Sequence, residues 1–548
     1  MTDQAPQQEG AVSSKSVDVG SRKQLFIDEA FFAETMGVRL TMNQPRKTDE
    51  RTIIADKPWE LGVGGSDTII RMGDKYWYYY TTCLLPSPDR PVMFDGKVWQ
   101  FPIWFMSLAI SKDGICWEKP DLGLVAFDGS NHTNILFPPN IYSSRVGGSN
   151  HIFLDGCPGT PMEERYKAVF GWDGPNGDWP NGTWILKSAD GLHWLPMMDR
   201  PIYRHSDTDN TVIWDERIGK YVFYFRDNSQ HYEKEPICEE VEYANRKEIL
   251  TNKAGRLAPH ISGVRYRDRA FRKIRRFEIE DLRKMPELGQ EWICDNSLVV
   301  AEADLKEAPG VDYDTNALQK YPWADNVYLM FPGMLRHLYY PPFTRQDPYP
   351  ELEAELDAVC EVRLMTSRDG IHFATPSRWP FVPLGVAGSY DSGLTECCTG
   401  MVRSGADLYM YYISRHDSIR HGVVPHEYWK KTPPFISRLV MRLDGFVSVD
   451  AGNDGGEFTT VPMVFEGNTL ALNVECSVAG YVIVELLRHG QAMDGFTFKD
   501  CDVVEGNSIN KVVTWKGRSD LSAPQGQPIQ MRFVMRNSKL YAFQFVAS

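Results

Sequence analysis

The 548-residue sequence predicts an all-β chain, with a five-bladed β-propeller followed by a β-sandwich domain. Three observations lead to this fold. The pattern S-x-D-G-x-x-(W/F) occurs three times, at 111–117, 188–194 and 367–373. Paired runs of β-branched and aromatic residues around short turns precede or separate the copies, which is typical of antiparallel hairpins. After Val440 the pattern stops, and short apolar runs alternate with Gly, Asn and Asp turns.

The repeated pattern is typical of a turn between outer strands. Its Ser and Asp side chains can accept hydrogen bonds from backbone N–H groups, and its glycine can adopt a positive φ. The closing aromatic residue is suited to packing between blades. A degenerate fourth copy is expected near 277–282. We therefore interpret Asp113, Asp190 and Asp369 as structural residues.

The hairpins predict the number of blades and the domain limits. The paired runs span 67–80, 151–170, 210–225, 316–331 and 399–412. Five units of this kind suggest five blades. The resulting division is a flexible tail over 1–20, a propeller over 21–445 with a charged, helix-compatible insertion at about 229–263, and a sandwich over 446–548. The basic run at 265–276 alternates in polarity and predicts a solvated outer strand.

Charge and composition exclude several classes of protein. Asp and Glu number 73 against 59 Lys and Arg, for a net charge of -14, which disfavours nucleic acid or an anionic membrane as a partner. The N-terminus has no apolar signal region, and no run is long enough to span a membrane. A cytoplasmic location is expected for the chain as given, and a periplasmic or secreted one if it is a processed chain. The ten cysteines lack zinc-site spacing and predict reduced, buried thiols.

Polar clusters precede the first strand of every predicted blade. The innermost strands of a propeller surround a central funnel, so these clusters should converge although they are distant in sequence. They read GGSD at 64–67, GGSNH at 147–151, HSDTDN at 205–210, DYDTN at 312–316 and YDSGLTE at 390–396. The sequence thus predicts a polar pocket on the propeller axis.

The repeated turns, the segment DTIIRMGDKYWYYY at 67–80 and the sandwich-like tail resemble the five-bladed propeller glycoside hydrolases of the furanosidase-like superfamily. That group contains families 32 and 43, and the resemblance covers roughly residues 22–545. It implies three carboxylates around the glycosidic bond, as an oxocarbenium-like transition state requires. By position, Asp67 would be the nucleophile or base, Asp207 or Asp209 the transition-state stabiliser, and Glu396 the general acid.

Further residues are candidates for substrate binding. Trp59 and Tyr390 would stack on a sugar ring, although blade packing explains them as well. Arg226, Arg336 and His337 follow apolar strands, where they would bind hydroxyls or carboxylates or pair with the acidic clusters. The remaining candidates are polar residues at strand entries: Asn150, His151, Asn210, Asp314, Asn316 and Asp391.

The expected function is hydrolysis of a glycosidic bond in an oligosaccharide or polysaccharide by acid/base catalysis. The absence of the invertase-type Asn-Asp-Pro motif leaves a non-catalytic carbohydrate-binding protein as an alternative. A lyase or a metal-assisted enzyme using His151, His205 and His337 is another. No cofactor is expected to be required, and the oxygen ligands of 312–316 favour calcium if a structural cation binds.

Overall fold

The computed structural model describes residues 16–65, 67–100, 103–139, 150–172, 182–202, 210–227, 238–241, 249–252, 257–259, 272–288, 295–304, 307, 311–337, 357–416, 419–420 and 431–547. The described chain is built almost entirely from β-strands, as the sequence predicts. It divides into two compact units. The larger unit comprises 44–320 and 328–442, and the smaller one comprises 1–43, 321–327 and 443–548.

The first sheet of the larger unit is antiparallel, and its central strand is rich in tyrosine. Tyr78, Tyr79 and Tyr80 are fully buried there, because both faces of the strand are covered. The sheet consists of Gly62–Val63, Thr68–Met72, Lys75–Leu84, Ile103–Ser111 and Ile135–Phe137. A separate hairpin pairs Val92–Phe94 with Lys97–Trp99.

Two four-stranded antiparallel sheets follow. The second sheet is formed by Asn150–Leu154, Tyr166–Trp172, Gly182–Ser188 and Leu195–Pro196. The third is formed by Thr211–Asp215, Lys220–Asp227, Lys273–Ile279 and Leu298–Ala301. Single 3-10 turns lie at Met162–Glu164 and Leu282–Lys284.

Two predictions for this region are wrong. The expected insertion is β-structure in its described part, where three strands pair at Cys238–Val241, Ile249–Asn252 and Leu257–Pro259. The described part of the basic run, 272–276, is not in a solvated outer strand: Lys273–Ile279 lies between two other strands, and Arg276 is 2% exposed. Arg276 can be buried because its guanidinium is paired with Glu278 and bonded to the Tyr224 hydroxyl.

The predicted fourth and fifth blades share one nine-stranded sheet. Its main path is Val311–Tyr313, Gly333–His337, Asp357–Val362, Leu394–Cys397, Asp407–Arg415, Phe435–Arg442 and Arg46–Ile53, with Val402–Ser404 and Ile419–Arg420 at its sides. A parallel contact of Cys360 with Leu394 joins its two halves. A further sheet holds Gln319–Lys320, Tyr328–Met330 and Met365–Ser367. The described residues thus show a propeller-like arrangement of four blade-like sheets, where the sequence predicted five.

Three breaks between short strands of this unit lie at, or a few residues after, predicted polar clusters. Gly62–Val63 and Thr68–Met72 pair with the same neighbouring strand, with residues 64–67 between them. Leu394–Cys397 and Val402–Ser404 likewise share one neighbour, with 398–401 between them. The break at 314–318 separates two further strand segments. Each break removes ladder hydrogen bonds, so side chains have to satisfy the freed backbone groups.

The main sheet of the smaller unit is antiparallel and has nine strands, and the β-sandwich expected from the sequence stays a prediction. Its strands are Gln24–Leu25, Phe32–Met36, Val38–Met42, Val447–Ala451, Gly456–Thr460, Thr469–Arg488, Gln491–Ala492, Asn507–Val512 and Gln530–Val546. Val17–Gly20 pairs in parallel with Met463–Phe465. Residues 17–42, assigned by sequence to the tail and the propeller, therefore pair with C-terminal strands. Their apolar residues, such as Val19 and Phe26, join the same core.

Candidate functional site

Five segments of the larger unit form a ring of hydrogen bonds, which we call the axial ring. Its bonds run from Ile152 N to Thr68 Oγ1 at 3.3 Å, Val212 N to His151 Nδ1 at 3.2 Å, Thr211 Oγ1 to Asn316 Oδ1 at 2.8 Å, Gly400 N to Gln319 Oε1 at 3.0 Å, and Thr399 Oγ1 to Thr68 Oγ1 at 2.9 Å. Every predicted strand entry contributes to this ring or lies beside it. The described strand entries therefore converge, whereas Tyr390 and Asp391 at the start of the fifth cluster contact Phe435 and Lys47 instead. His205, Asp207 and Asp209 lie outside the described residues.

Asp67 lies in the first strand break and is 3% exposed. Its Oδ1 accepts a hydrogen bond from Thr81 N at 2.8 Å, on the neighbouring strand of its own sheet. Its backbone oxygen accepts one from Thr399 N at 3.0 Å. The carboxylate thus replaces a missing strand partner, while the backbone of Asp67 joins the first and last predicted blades.

Glu396 and Asp314 both lie near Gly333. Glu396 is half-buried, and its Cγ lies 3.7 Å from the position that a Cβ on Gly333 would take. Asp314 N donates to Gly333 O at 2.8 Å. Both carboxylates also act on one buried thiol. Burial raises the pKa of Cys360 well above its ordinary value, and the charges of Glu396 and then Asp314 raise it further. Two acidic side chains from different predicted blades are therefore close together.

Asp314 is held by two guanidinium groups. Arg272 Nη1 donates to its Oδ1 at 2.5 Å, and Arg226 donates to the same oxygen and to the backbone oxygen of Asp314. The Arg226 side chain is 3% exposed, whereas that of Arg272 is 18% exposed. A carboxylate between two arginines is favoured in its charged form. Asp314 is therefore a fixed anion, and Arg272 is the more exposed of its two arginines.

His151 is buried in the axial ring and neutral. Burial lowers the pKa of His151 to about 3. Its Nδ1 accepts the Val212 hydrogen bond, so the ring proton is on Nε2. The ring stacks on Phe153, with centroids 5.6 Å apart. His151 can donate a hydrogen bond through Nε2, but it cannot supply a proton as an imidazolium near neutral pH.

The other polar candidates serve the ring or lie near its edge. Asn316 Oδ1 accepts from Thr211 Oγ1 and from Leu318 N at 3.0 Å, so this oxygen holds the third strand break together. Asn210 is 1% exposed and directly precedes Thr211–Asp215. Arg336 is half-buried on Gly333–His337. Asn150 and His337 lie in described strands, but their side chains lie outside the described part.

Three candidates are packing residues. Trp59 is buried, with Nε1 donating to Asn134 Oδ1 at 3.0 Å and its ring edge-on to Phe127, which leaves no face for a sugar. The Tyr390 ring packs against Phe435. Asp391 is 2% exposed and accepts from Lys47 Nζ at 2.5 Å, so it forms a buried ion pair. Their placement favours the packing interpretation over substrate binding.

Sequence reasoning missed several residues of this cluster. Arg272 belongs to the basic run at 265–276, which predicts an outer strand, and no sequence pattern marks Gly333, Cys360 or Thr399 as site residues. The position of Arg272 at the start of a strand is only a weak indication that it belongs to a site. No local pattern could identify Gly333 or Cys360, because their importance depends on a neighbouring strand.

The described residues contain no group of three or more His, Cys, Asp or Glu side chains arranged to hold a metal ion. Two side-chain oxygens of 312–316 are engaged by protein: Asp314 Oδ1 by two arginines, and Asn316 Oδ1 by Thr211 and Leu318. Within the same residues no helix is long and apolar enough to cross a membrane.

A scan against protein-family models finds no match for this chain, and neither does a search of curated proteins. Solved structures align at low identity. A complex of BT0996 with RGII is 12% identical, with a TM-score of 0.40 over 72% of this protein and 92% of that one. An N-acetylgalactosamine deacetylase from F. plautii, in complex with blood group B trisaccharide, is 12% identical, with a TM-score of 0.38 over 79% and 97%.

A glycoside hydrolase family 43 arabinoxylan arabinofuranohydrolase from Bacillus subtilis, in complex with cellotetraose, is 11% identical, with a TM-score of 0.35 over 91% and 99%. Similarities at this level carry no argument about this chain. The axial ring and the carboxylates beside it are the features of this chain that bear on its function.

Proposed function

We propose that the chain is a glycoside hydrolase whose carboxylates act at the axial ring of a five-bladed propeller. The observation that supports this most is the placement of Glu396 and Asp314 around Gly333, with the backbone of Asp67 joined to Thr399, three residues after Glu396. Glycosidic bond cleavage needs a proton donor and an ionised carboxylate on opposite sides of the anomeric carbon. Two carboxyl groups in different electrostatic surroundings at one site can supply the proton donor and the ionised carboxylate.

Glu396 is the proposed general acid. A general acid must keep its proton near neutral pH, and loss of solvent around a carboxyl group favours its protonated form. Glu396 is partly removed from solvent, whereas Asp314 is ionised between Arg226 and Arg272. Glu396 is only half-buried, so its carboxyl group can reach a substrate.

Asp67 is the proposed base or nucleophile. Its Oδ1 accepts a hydrogen bond from Thr81 N, which orients the carboxylate. His151 is proposed to donate a hydrogen bond to a substrate oxygen through Nε2, in the manner of a neutral donor. The proposed substrate is an oligosaccharide or a polysaccharide, and no cofactor takes part.

The test measures release of reducing ends from a panel of polysaccharides and aryl glycosides. Wild type is compared with Glu396→Gln and with the matched control Glu361→Gln. Glu361 is also a half-buried carboxyl group, but it follows Cys360 in the strand and so faces the opposite side of the sheet. We expect Glu396→Gln to lower kcat about 100- to 10,000-fold on substrates with poor leaving groups. Glu361→Gln should retain wild-type kcat.

The leaving group separates the acid role from a general loss of activity. A dinitrophenyl glycoside needs little protonation, so Glu396→Gln should cleave it at nearly the wild-type rate. Equal losses on both substrate types would assign Glu396 another role. Sugar binding by calorimetry without hydrolysis by the wild-type protein would favour the carbohydrate-binding alternative.

A further inference from the structure

Gly333 begins the strand Gly333–His337 and contacts the cluster through both of its backbone groups. Its N–H donates to Thr315 Oγ1 at 3.0 Å, and its carbonyl accepts from Asp314 N at 2.8 Å. Its φ does not lie in the left-handed region. The backbone conformation therefore does not require a glycine at this position. The lack of space for a side chain must be the reason for it.

That space is filled by neighbouring side chains. A Cβ on Gly333 would lie 2.8 Å from Thr315 Oγ1, 2.9 Å from Cys360 Sγ and 3.7 Å from Glu396 Cγ. The first two distances are shorter than van der Waals contacts allow, and neither atom is the end of a long, flexible side chain. Thr315 and Cys360 would both have to move if any other residue stood at this position.

These two neighbours are linked to the two carboxylates. Thr315 follows Asp314, so a displacement of Thr315 also moves the backbone on which Asp314 is mounted. Cys360 is paired in parallel with Leu394, which lies on the strand that carries Glu396. The missing side chain of Gly333 therefore lets two strand segments approach each other with one acidic group on each.

We infer that Gly333 is a positioning residue that sets the separation between Asp314 and Glu396, an inference that rests on the proposed function. The spacing of carboxyl groups decides how a glycosidase uses them, because a nucleophile must touch the sugar whereas a base must leave room for water. An added methyl group would widen the gap between the segments. It would also change the electrostatic effect on Glu396 of the charged group formed by Asp314, Arg226 and Arg272.

The test compares Gly333→Ala with wild type by kcat and KM across the pH range, and by thermal unfolding. We expect kcat/KM to fall roughly 10- to 100-fold, mostly through kcat, since a displacement of about 1 Å costs this much in other sites. The limb of the pH profile that reports the acid should also move. A role in stability alone would not move that limb.

Gly191→Ala is the matched control. Its Cβ would lie 2.6 Å from Tyr79 Oη, and Gly191 has a φ of +78°, so the substitution destabilises the same unit in a turn that belongs to another sheet. We expect Gly191→Ala to lower Tm while leaving the pH profile at its wild-type position. If Gly333→Ala does not fold, Gly333→Ala with Cys360→Ala removes the 2.9 Å contact and is measured in the same way.

The outcomes separate the inference from the proposed function. If wild type hydrolyses no substrate, the proposed function fails and the inference with it. If wild type is active and Glu396→Gln is not, a Gly333→Ala variant with unchanged kcat/KM and pH profile overturns the inference alone. The inference is also overturned if Gly333→Ala changes activity, pH profile and Tm in the same way and by the same amount as Gly191→Ala.

Discussion

The charges of buried residues in and beside the axial ring depend on their partners. His151, whose ordinary pKa lies near 6.5, is neutral because its ring is enclosed by the ring strands and Phe153. Asp314 is also buried but remains charged, because two guanidinium groups compensate for lost solvent. The same low exposure thus gives an uncharged donor at one position and a fixed anion at the other.

The burial of His151 predicts a specific dependence of stability on pH. Its pKa is about 3 in the folded chain and about 6.5 unfolded, so the unfolded state binds the extra proton between these values. The contribution of neutral His151 is complete above pH 6.5 and is lost as the pH falls towards 3. At pH 4.5 the loss should be roughly 2–3 kcal/mol.

Urea unfolding of wild type and His151→Asn at pH 7.5 and 4.5 measures this effect. Asn keeps an acceptor for Val212 N but does not titrate. The wild-type midpoint should fall further on acidification than that of the variant. Parallel decreases in both proteins would show that His151 does not carry this pH dependence.

Among the elements, the S-x-D-G turns join neighbouring sheets as well as closing their own. In the copy at 188–194, Ser188 Oγ accepts from Gly191 N at 2.9 Å, and Asp190 Oδ1 accepts from Leu192 N and His193 N, each at 2.9 Å. The other two copies repeat these bonds. The three Asp side chains are thus structural, as predicted from sequence.

A buried tyrosine from another sheet binds each of these turns. Tyr79 donates to Gly191 O at 3.2 Å, and Tyr224 donates to Gly370 O at 2.7 Å. Tyr411 makes the corresponding bond to Gly114 O. Burial raises the pKa of Tyr224 to about 12, so the phenol remains a donor at physiological pH.

Removing one of these hydroxyls should weaken the contact between sheets. We expect Tyr224→Phe to destabilise the larger unit by about 1–2 kcal/mol, because the carbonyl of Gly370 is left buried without its donor. Thermal unfolding measures this loss. Tyr76→Phe, at a partly exposed tyrosine of the same unit, should change stability by less than about 0.5 kcal/mol. Equal effects of the two substitutions would contradict this role of the turn.

For the larger unit as a whole, ring closure depends on its first strand. Arg46–Ile53 pairs with Phe435–Arg442, so the start of the unit forms the outer strand of its last sheet. The axial ring closes the same circuit at the centre through Thr399 and Thr68. A propeller closed by strands from both ends of its chain is held together only when both ends are packed.

Neighbouring isoleucines test this closure. Ile53 is 2% exposed and belongs to the core shared by the first and last predicted blades, whereas Ile54 is 42% exposed. Ile53→Ala should cost about 2–5 kcal/mol and speed limited proteolysis of the larger unit. Ile54→Ala should stay within about 0.5 kcal/mol of wild type. If Ile53→Ala is as stable as Ile54→Ala, the strand does not carry the closure.

Features that depend on interactions between residues close in sequence could be predicted from the sequence. The turns, the hairpins and the polar strand entries follow from side chain to backbone hydrogen bonds and from a two-residue periodicity, both of which act within a few residues. For that reason the structural role of Asp190 and the convergence of Asp67, Asn316 and Glu396 with the axial ring could be anticipated. The functions of these residues remain proposals.

Tertiary structure alone decided which of the polar residues face one another. Asp391 looked like a pocket residue, but it pairs with Lys47, 344 positions away. Trp59 is part of a hydrophobic core. Arg272 and Gly333, which no sequence motif marks, lie beside the carboxylates. The parallel contact between Cys360 and Leu394 likewise merged two predicted blades into one sheet. Such contacts depend on strand register and on closure of the ring, and neither property is encoded within any one segment of the chain.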